Sequence, residues 1–143
     1  MKGLAPHTQQ VFEAVSKLEC IKPYLLVGGT ALSLQISTRQ SEDLDFMKWR
    51  NSKDGKMEVM LRRSNFRYYY DIYSILKTGI PISELISLTL NYSGHRMKSK
   101  NLLAILTNST RFTRDANFEQ LAPIYSVTAR EIEDYIKSCL RKE

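Results

Sequence analysis

Asp43 and Asp45 are the residues whose type and spacing point most directly to chemistry, within the run Ser41-Glu42-Asp43-Leu44-Asp45-Phe46. The spacing predicts a strand with both carboxylates on one face and Leu44 and Phe46 on the other. Two carboxylates so placed suit Mg²⁺, which binds through one or two carboxylates together with substrate phosphates. Upstream, Leu25-Leu26-Val27 is a short apolar run of buried-strand type, and Gly28-Gly29-Thr30 follows it directly. The glycines allow a tight turn with nothing projecting where a ligand could approach. Thr30 is placed to cap a helix running to about Thr38. A glycine turn entering a helix offers N–H groups and a positive dipole end, which suit phosphate. Taken singly, Gly-Gly-Thr is also the composition of a plain turn, and Asp-x-Asp that of a solvated strand face.

A second constellation lies downstream. If a helix runs on unbroken from Gly55, then Lys56, Arg63, Arg67 and Asp71 fall at i, i+7, i+11 and i+15 and share one face. On spacing alone the plain reading is a solvated charged face with an Arg67–Asp71 pair.

The order Val27-Gly28-Gly29-Thr30-Ala31-Leu32, then Arg39, Ser41 and Asp43-Leu44-Asp45-Phe46, resembles the first motif of the nucleotidyltransferase superfamily. This variant resembles the AbiEii/AbiGii toxin family in particular. The resemblance implies a protein that binds a nucleoside triphosphate with Mg²⁺ and transfers a nucleotide to an acceptor such as RNA. It implies that Asp43 and Asp45 hold the metal and that Gly28, Gly29 and Thr30, with Arg39 and Ser41, serve the nucleotide. Lys56, Arg63, Arg67 and Asp71 fall on positions of the family's second half that serve the nucleotide, where Lys56 would approach the phosphates and the acidic pair after the arginine, of which Asp71 is one member, would help orient the base or the catalytic groups. A cognate antitoxin protein is a further partner that the resemblance implies.

Two departures stand out. The family has an acid directly after the arginine, where this chain has Tyr68. Family members also place further strands between the two motifs, one carrying a third metal carboxylate. Here only Met47 to Gly55 separates the second strand from Lys56, too short for another strand with its turns. Asp54 is the one carboxylate nearby, in a loop beside Gly55. The alternative to an enzyme is therefore a shortened, catalytically dead relative that binds a nucleotide or a protein partner.

The elements that must position these residues are mostly helical. Residues from about Pro6 to Leu18 read as a helix with Val11, Phe12, Val15 and Leu18 toward the core. Beyond the polar loop around Lys53-Asp54-Gly55, a long helical pattern begins at Met57, with a break available at Ser64-Asn65. Tyr69, Ile72, Tyr73 and Leu76 form its core face, and Gly79 and Pro81 end it. A helix from about Ser83 to Asn91 buries Leu85, Ile86 and Leu88, with Gly94 as its stop. Another begins near Ser99 and uses Leu102, Leu103, Ile105 and Leu106. Asn108 to Val127 reads as irregular. Thr128-Ala129-Arg130-Glu131 is a capping box for a last helix, with Ile132, Tyr135, Ile136, Cys139 and Leu140 as its stripe. The expected fold is α+β and mainly helical: one domain over 1–143, with a truncated nucleotidyltransferase-type core of about two strands in 1–55 and a helical half in 56–143.

The 143 residues suffice for one domain with a core, and 43% hydrophobic content is ordinary for a globular protein. A net charge of +6 suits a nucleotide or nucleic-acid partner. Cys20 and Cys139 fit no metal spacing and suggest reduced thiols in a cytoplasmic protein. Neither a signal peptide nor a membrane span is expected. His7 and His95 have no partner pattern and read as surface residues, and Trp49 reads as a cover for the sheet edge. Two strands alone are marginal, and an open edge invites a homodimer or a cover.

Overall fold

Val27 ends a strand and Gly28 begins a helix with no loop between them. Only a residue without Cβ takes the turn cheaply, since Gly28 sits at φ +73°. A computed structural model describes residues 3–48, 63–92 and 97–143. The fold is α+β and mainly helical, with six α-helices and a two-stranded antiparallel sheet among the described residues. The chain divides into two compact units: Met1–Asn51 with Ala116–Ser126, and Ser52–Asp115 with Val127–Glu143.

The first unit holds α1 (Pro6–Val15), β1 (Tyr24–Val27), α2 (Gly28–Ile36) and β2 (Asp45–Lys48). The strands pair from Tyr24↔Lys48 to Val27↔Asp45, and α2 packs on β1. Several expectations change here. The run Leu25-Leu26-Val27 is not a buried strand: Leu25 is 54% exposed and Leu26 and Val27 are half-buried. Helix α1 ends at Val15, short of the expected Leu18; of its expected core face, Val11 and Leu18 are each 50% exposed and Phe12 and Val15 are half-buried. The buried residue of α1 is Thr8, because this helix meets the rest of the unit at its first turn. Thr30 does not cap α2. The N-cap is Val27, and Thr30 lies inside the first turn.

In the second unit α3 (Phe66–Lys77) packs on α6 (Ala129–Lys142), and α4 (Ile82–Tyr92) packs on α5 (Ser99–Leu106) and on α6. The core is aromatic and aliphatic: Phe66, Tyr69, Tyr70, Leu102, Ile132 and Ile136 are all fully buried. Tyr69 stacks on Phe112 at 4.1 Å, and its hydroxyl donates to the Leu106 carbonyl at 2.6 Å. Burial pushes that hydroxyl's pKa well up, so it stays a donor. Leu88 is exposed rather than buried, and α4 uses Ile82 and Thr89 instead. The irregular stretch contains two short 3₁₀ turns, Ser109–Arg111 and Phe118–Leu121.

The unbroken helix through Arg63 is not found. Arg63 and Ser64 are non-helical, and Asn65 is extended and bridged to Thr113. Asp115 sets the true start: it accepts the Arg67 amide at 3.1 Å, the Asn65 amide group at 2.8 Å and the Arg67 guanidinium at 3.2 Å. Burial alone would raise the Asp115 pKa, but these bonds win and hold it below the usual carboxylate range. Lys56, Asp54, Trp49, Gly94, His95 and the Met57 helix start lie outside the described residues.

The capping box of α6 is present, with Thr128 and Glu131 exchanging bonds. One turn on, Glu133 is buried and accepts the Ser109 amide at 2.9 Å while pairing with Lys137. Lys137, then Ser109, hold its pKa down from 4.5 to about 2. A depressed carboxylate gives stability that is full above its unfolded pKa and is lost as pH falls through the folded one. The second unit should therefore weaken between about pH 4.5 and about pH 2, and Glu133→Gln should flatten that part of the curve. Denaturant melts of both proteins across this range test it; parallel curves would remove Glu133 from the account.

Candidate functional site

The site is built on two consecutive glycines and the antiparallel register beside them. Val27 lies opposite Asp45, so the Asp45 carboxylate falls beside the next residue, Gly28. A Cβ on Gly28 would stand 3.1 Å from Asp45 Oδ2. A Cβ on Gly29 would stand 2.7 Å from Nη2 of Arg39, whose buried guanidinium also donates to the Gln40 carbonyl at 2.9 Å. Each glycine thus yields its side-chain space to a charged group of the protein itself. The first N–H groups of α2 have no intrahelical partner, and the apolar side chain of its N-cap residue, Val27, cannot cap them.

Asp43 lies before β2, not in it as the period-two spacing predicts. Alternation survives in the exposure: Asp43 and Asp45 are exposed, and Leu44 and Phe46 are half-buried. The segment departs from a strand because its carbonyls are met by hydroxyls instead of a ladder. The Thr8 hydroxyl donates to the Glu42 carbonyl at 2.8 Å, and the Thr30 hydroxyl donates to the Asp43 carbonyl. Thr30 Oγ1 also lies 2.9 Å from Ser41 Oγ.

The stretch leading to the carboxylates is fixed from both sides. Ser41 bridges to Leu4, with its amide on the Gly3 carbonyl at 2.9 Å and its carbonyl accepting the Ala5 amide at 3.1 Å. On the other side Gln40 donates to the Leu121 carbonyl, and the Ile124 amide donates to the Thr38 carbonyl at 2.8 Å. Asn117 donates to the Glu42 carboxylate at 2.9 Å.

The structure thus gathers Gly28, Gly29, Thr30, Arg39, Ser41, Asp43 and Asp45 within the first unit. Arg67 and Asp71 belong to the second unit, where Arg67 is bound to Asp115 and Asp71 is buried on α3. Among the described residues no group of three or more His, Cys, Asp or Glu side chains could hold a metal. Two carboxylates that leave room for phosphate oxygens are nevertheless a donor set that Mg²⁺ accepts. The space that a Gly28 Cβ would fill lies against one of them. Sequence reasoning missed Thr8, Glu42 and Asn117, whose partners are 34 and 75 residues away, beyond any local pattern.

Comparison with protein-family models, curated proteins and solved structures gives no match for this chain.

Gly28→Ala should cost about 1–2 kcal/mol, the penalty for an L side chain in the left-handed region, with crowding against Asp45 added. Chemical denaturation measures it. A variant as stable as the parent would mean that Gly28 does not hold the positive φ described.

Proposed function

We propose that the first unit binds the triphosphate of a nucleoside triphosphate together with Mg²⁺, and that the protein transfers a nucleotide to an acceptor such as RNA, as a nucleotidyltransferase of the AbiEii/AbiGii toxin type. The observation that carries this reading is the Asp45 carboxylate set against Gly28 where β1 becomes α2. Asp43 and Asp45 would hold the cation, and the amides opening α2 would face the phosphates. When bound, the cation neutralises phosphate charge as the phosphoryl group is attacked.

A second reading has its own support. Nucleotide transfer needs the attacking hydroxyl activated as well as the phosphates held. Among the described residues only two carboxylates are available at the turn, with no third metal-binding side chain beside them. This favours a shortened relative that binds a nucleotide, or a protein such as an antitoxin, without transfer.

Calorimetric titration with each nucleoside triphosphate and Mg²⁺, beside a labelling assay on total RNA, separates the two. The enzyme and the nucleotide-binding form of the second reading both expect Mg²⁺-dependent binding that Asp45→Ala reduces by about tenfold or more. RNA labelling abolished by Asp45→Ala establishes the enzyme, and binding without labelling establishes the second reading. No binding of any nucleotide overturns the enzyme and the nucleotide-binding module and leaves only the protein-binding form of the second reading.

A further inference from the structure

Two buried threonines from different helices meet consecutive carbonyls of the segment that carries the carboxylates. Thr8 of α1 is 2% exposed and donates to the Glu42 carbonyl; Thr30 of α2 is 1% exposed and donates to the Asp43 carbonyl. Residues 42–44 belong to no strand, so these carbonyls have no ladder partner of the kind β2 supplies further on. A buried carbonyl left unmet costs free energy, which ties each peptide plane to its hydroxyl. Fixing the planes on either side of Asp43 fixes the direction in which its Cβ leaves the backbone.

Donor counting decides what Thr30 can do besides. A hydroxyl has one hydrogen and two lone pairs. A carbonyl oxygen can only accept, so the Thr30 hydrogen goes to Asp43. Ser41 must then be the donor in its 2.9 Å contact with Thr30. The chain runs from the Ser41 hydroxyl to Thr30 Oγ1 and from the Thr30 hydroxyl to the Asp43 carbonyl, each bond polarising the next. Both hydrogens are committed. An anionic phosphate oxygen accepts hydrogen bonds, and neither residue has a hydrogen to give it.

We infer that Thr8 and Thr30 are positioning residues for the Asp43–Asp45 pair, and that Thr30 and Ser41 act through this segment and not as phosphate ligands. The inference rests on the proposed reading of that pair as a cation site. It changes the part that the residue after the glycines plays: Thr30 serves the metal end of the site, and phosphate is left to the backbone amides.

The test uses Mn²⁺ alone, titrated against the full chain by electron paramagnetic resonance, because a phosphate ligand has no effect on it. Mg²⁺ with inorganic triphosphate is titrated in parallel by calorimetry. Thr8→Val and Thr30→Val keep the shape of the side chain and remove the donor; Thr8→Ser and Thr30→Ser keep the donor. We expect each valine variant to weaken Mn²⁺ binding by about tenfold, the usual effect of losing an outer-shell partner. Each serine variant should bind like the parent. Mg²⁺–triphosphate affinity should fall in step with Mn²⁺ affinity. Should a valine variant not fold, Ser41→Ala and the serine variants carry the test: Ser41→Ala should weaken Mn²⁺ binding measurably, and a serine variant that loses it overturns the inference. A Thr30→Val protein that binds Mn²⁺ normally but loses triphosphate would make Thr30 a phosphate ligand and overturn it too. A parent chain that binds Mn²⁺ no better than Asp45→Asn refutes the cation site itself, an outcome distinct from both.

Discussion

The first unit depends on two side chains that are absent. Gly28 and Gly29 give up adjoining volumes, one to the Asp45 carboxylate and the other to the Arg39 guanidinium. The sequence suggests a turn kept bare so that a ligand can approach. The structure shows that part of the cleared space is already used by the protein's own charges. This ties together features that look separate along the chain. The strand can pass straight into the helix because Gly28 takes a positive φ. Asp45 reaches the turn because Val27 is its cross-strand partner. Arg39 can be buried because Gly29 has no Cβ to exclude it and because Gln40 offers a carbonyl.

The second unit solves a different problem, that of satisfying helix ends inside a core. Its last helix does so locally, through the Thr128–Glu131 capping box. Two others, α3 and α4, borrow acids from far along the chain. Asp115 meets the first turn of α3, and the Glu143 carboxylate meets the Ile82 and Ser83 amides at 3.0 and 2.9 Å, at the start of α4. Glu133 does the same for the short turn at Ser109. An acid at a helix N-terminus gains both a hydrogen bond and the dipole, so one side chain closes a helix and joins two segments.

That contrast explains what could be read from sequence. The capping box was legible because all its partners lie within four residues. The glycine turn and the acidic pair were legible because each is a short motif of unusual residue types. The break before Phe66 was visible only as a possibility at Ser64-Asn65, since Asp115, which enforces it, is 48 residues away. The helical stripe of α1 misled because periodicity reports which residues share a face and not whether anything covers it. Val11 and Leu18 are regular in spacing and exposed all the same, while Thr8 is buried at the turn that makes contact. Period two placed Asp43 correctly in exposure and wrongly in a strand. A residue can alternate without a ladder when hydroxyls take the ladder's place.

The charges of the chain divide along the same line. Asp115, Glu133 and Glu143 are occupied by amides and cations of the second unit. Asp43 and Asp45 are exposed, and the bonds that hold their segment are made mainly to its backbone and to the neighbouring Glu42. On the proposed reading this leaves both carboxylates able to take a cation. Mg²⁺ demands near-octahedral oxygen coordination, and two carboxylates fill only part of it. Phosphate oxygens or water must supply the remainder. A triphosphate, for its part, gains little from the opening amides of α2 unless its charge is also neutralised. Metal and triphosphate would therefore complete each other's site, and each should bind more tightly when the other is present. Under that coupling the rigidity of residues 40–45 matters more than any single ligand. On that reading the cation would stand where the carboxylates put it and where phosphate at the helix could also reach it, and the bonds from Thr8 and Thr30 to the Glu42 and Asp43 carbonyls would keep those two positions in register.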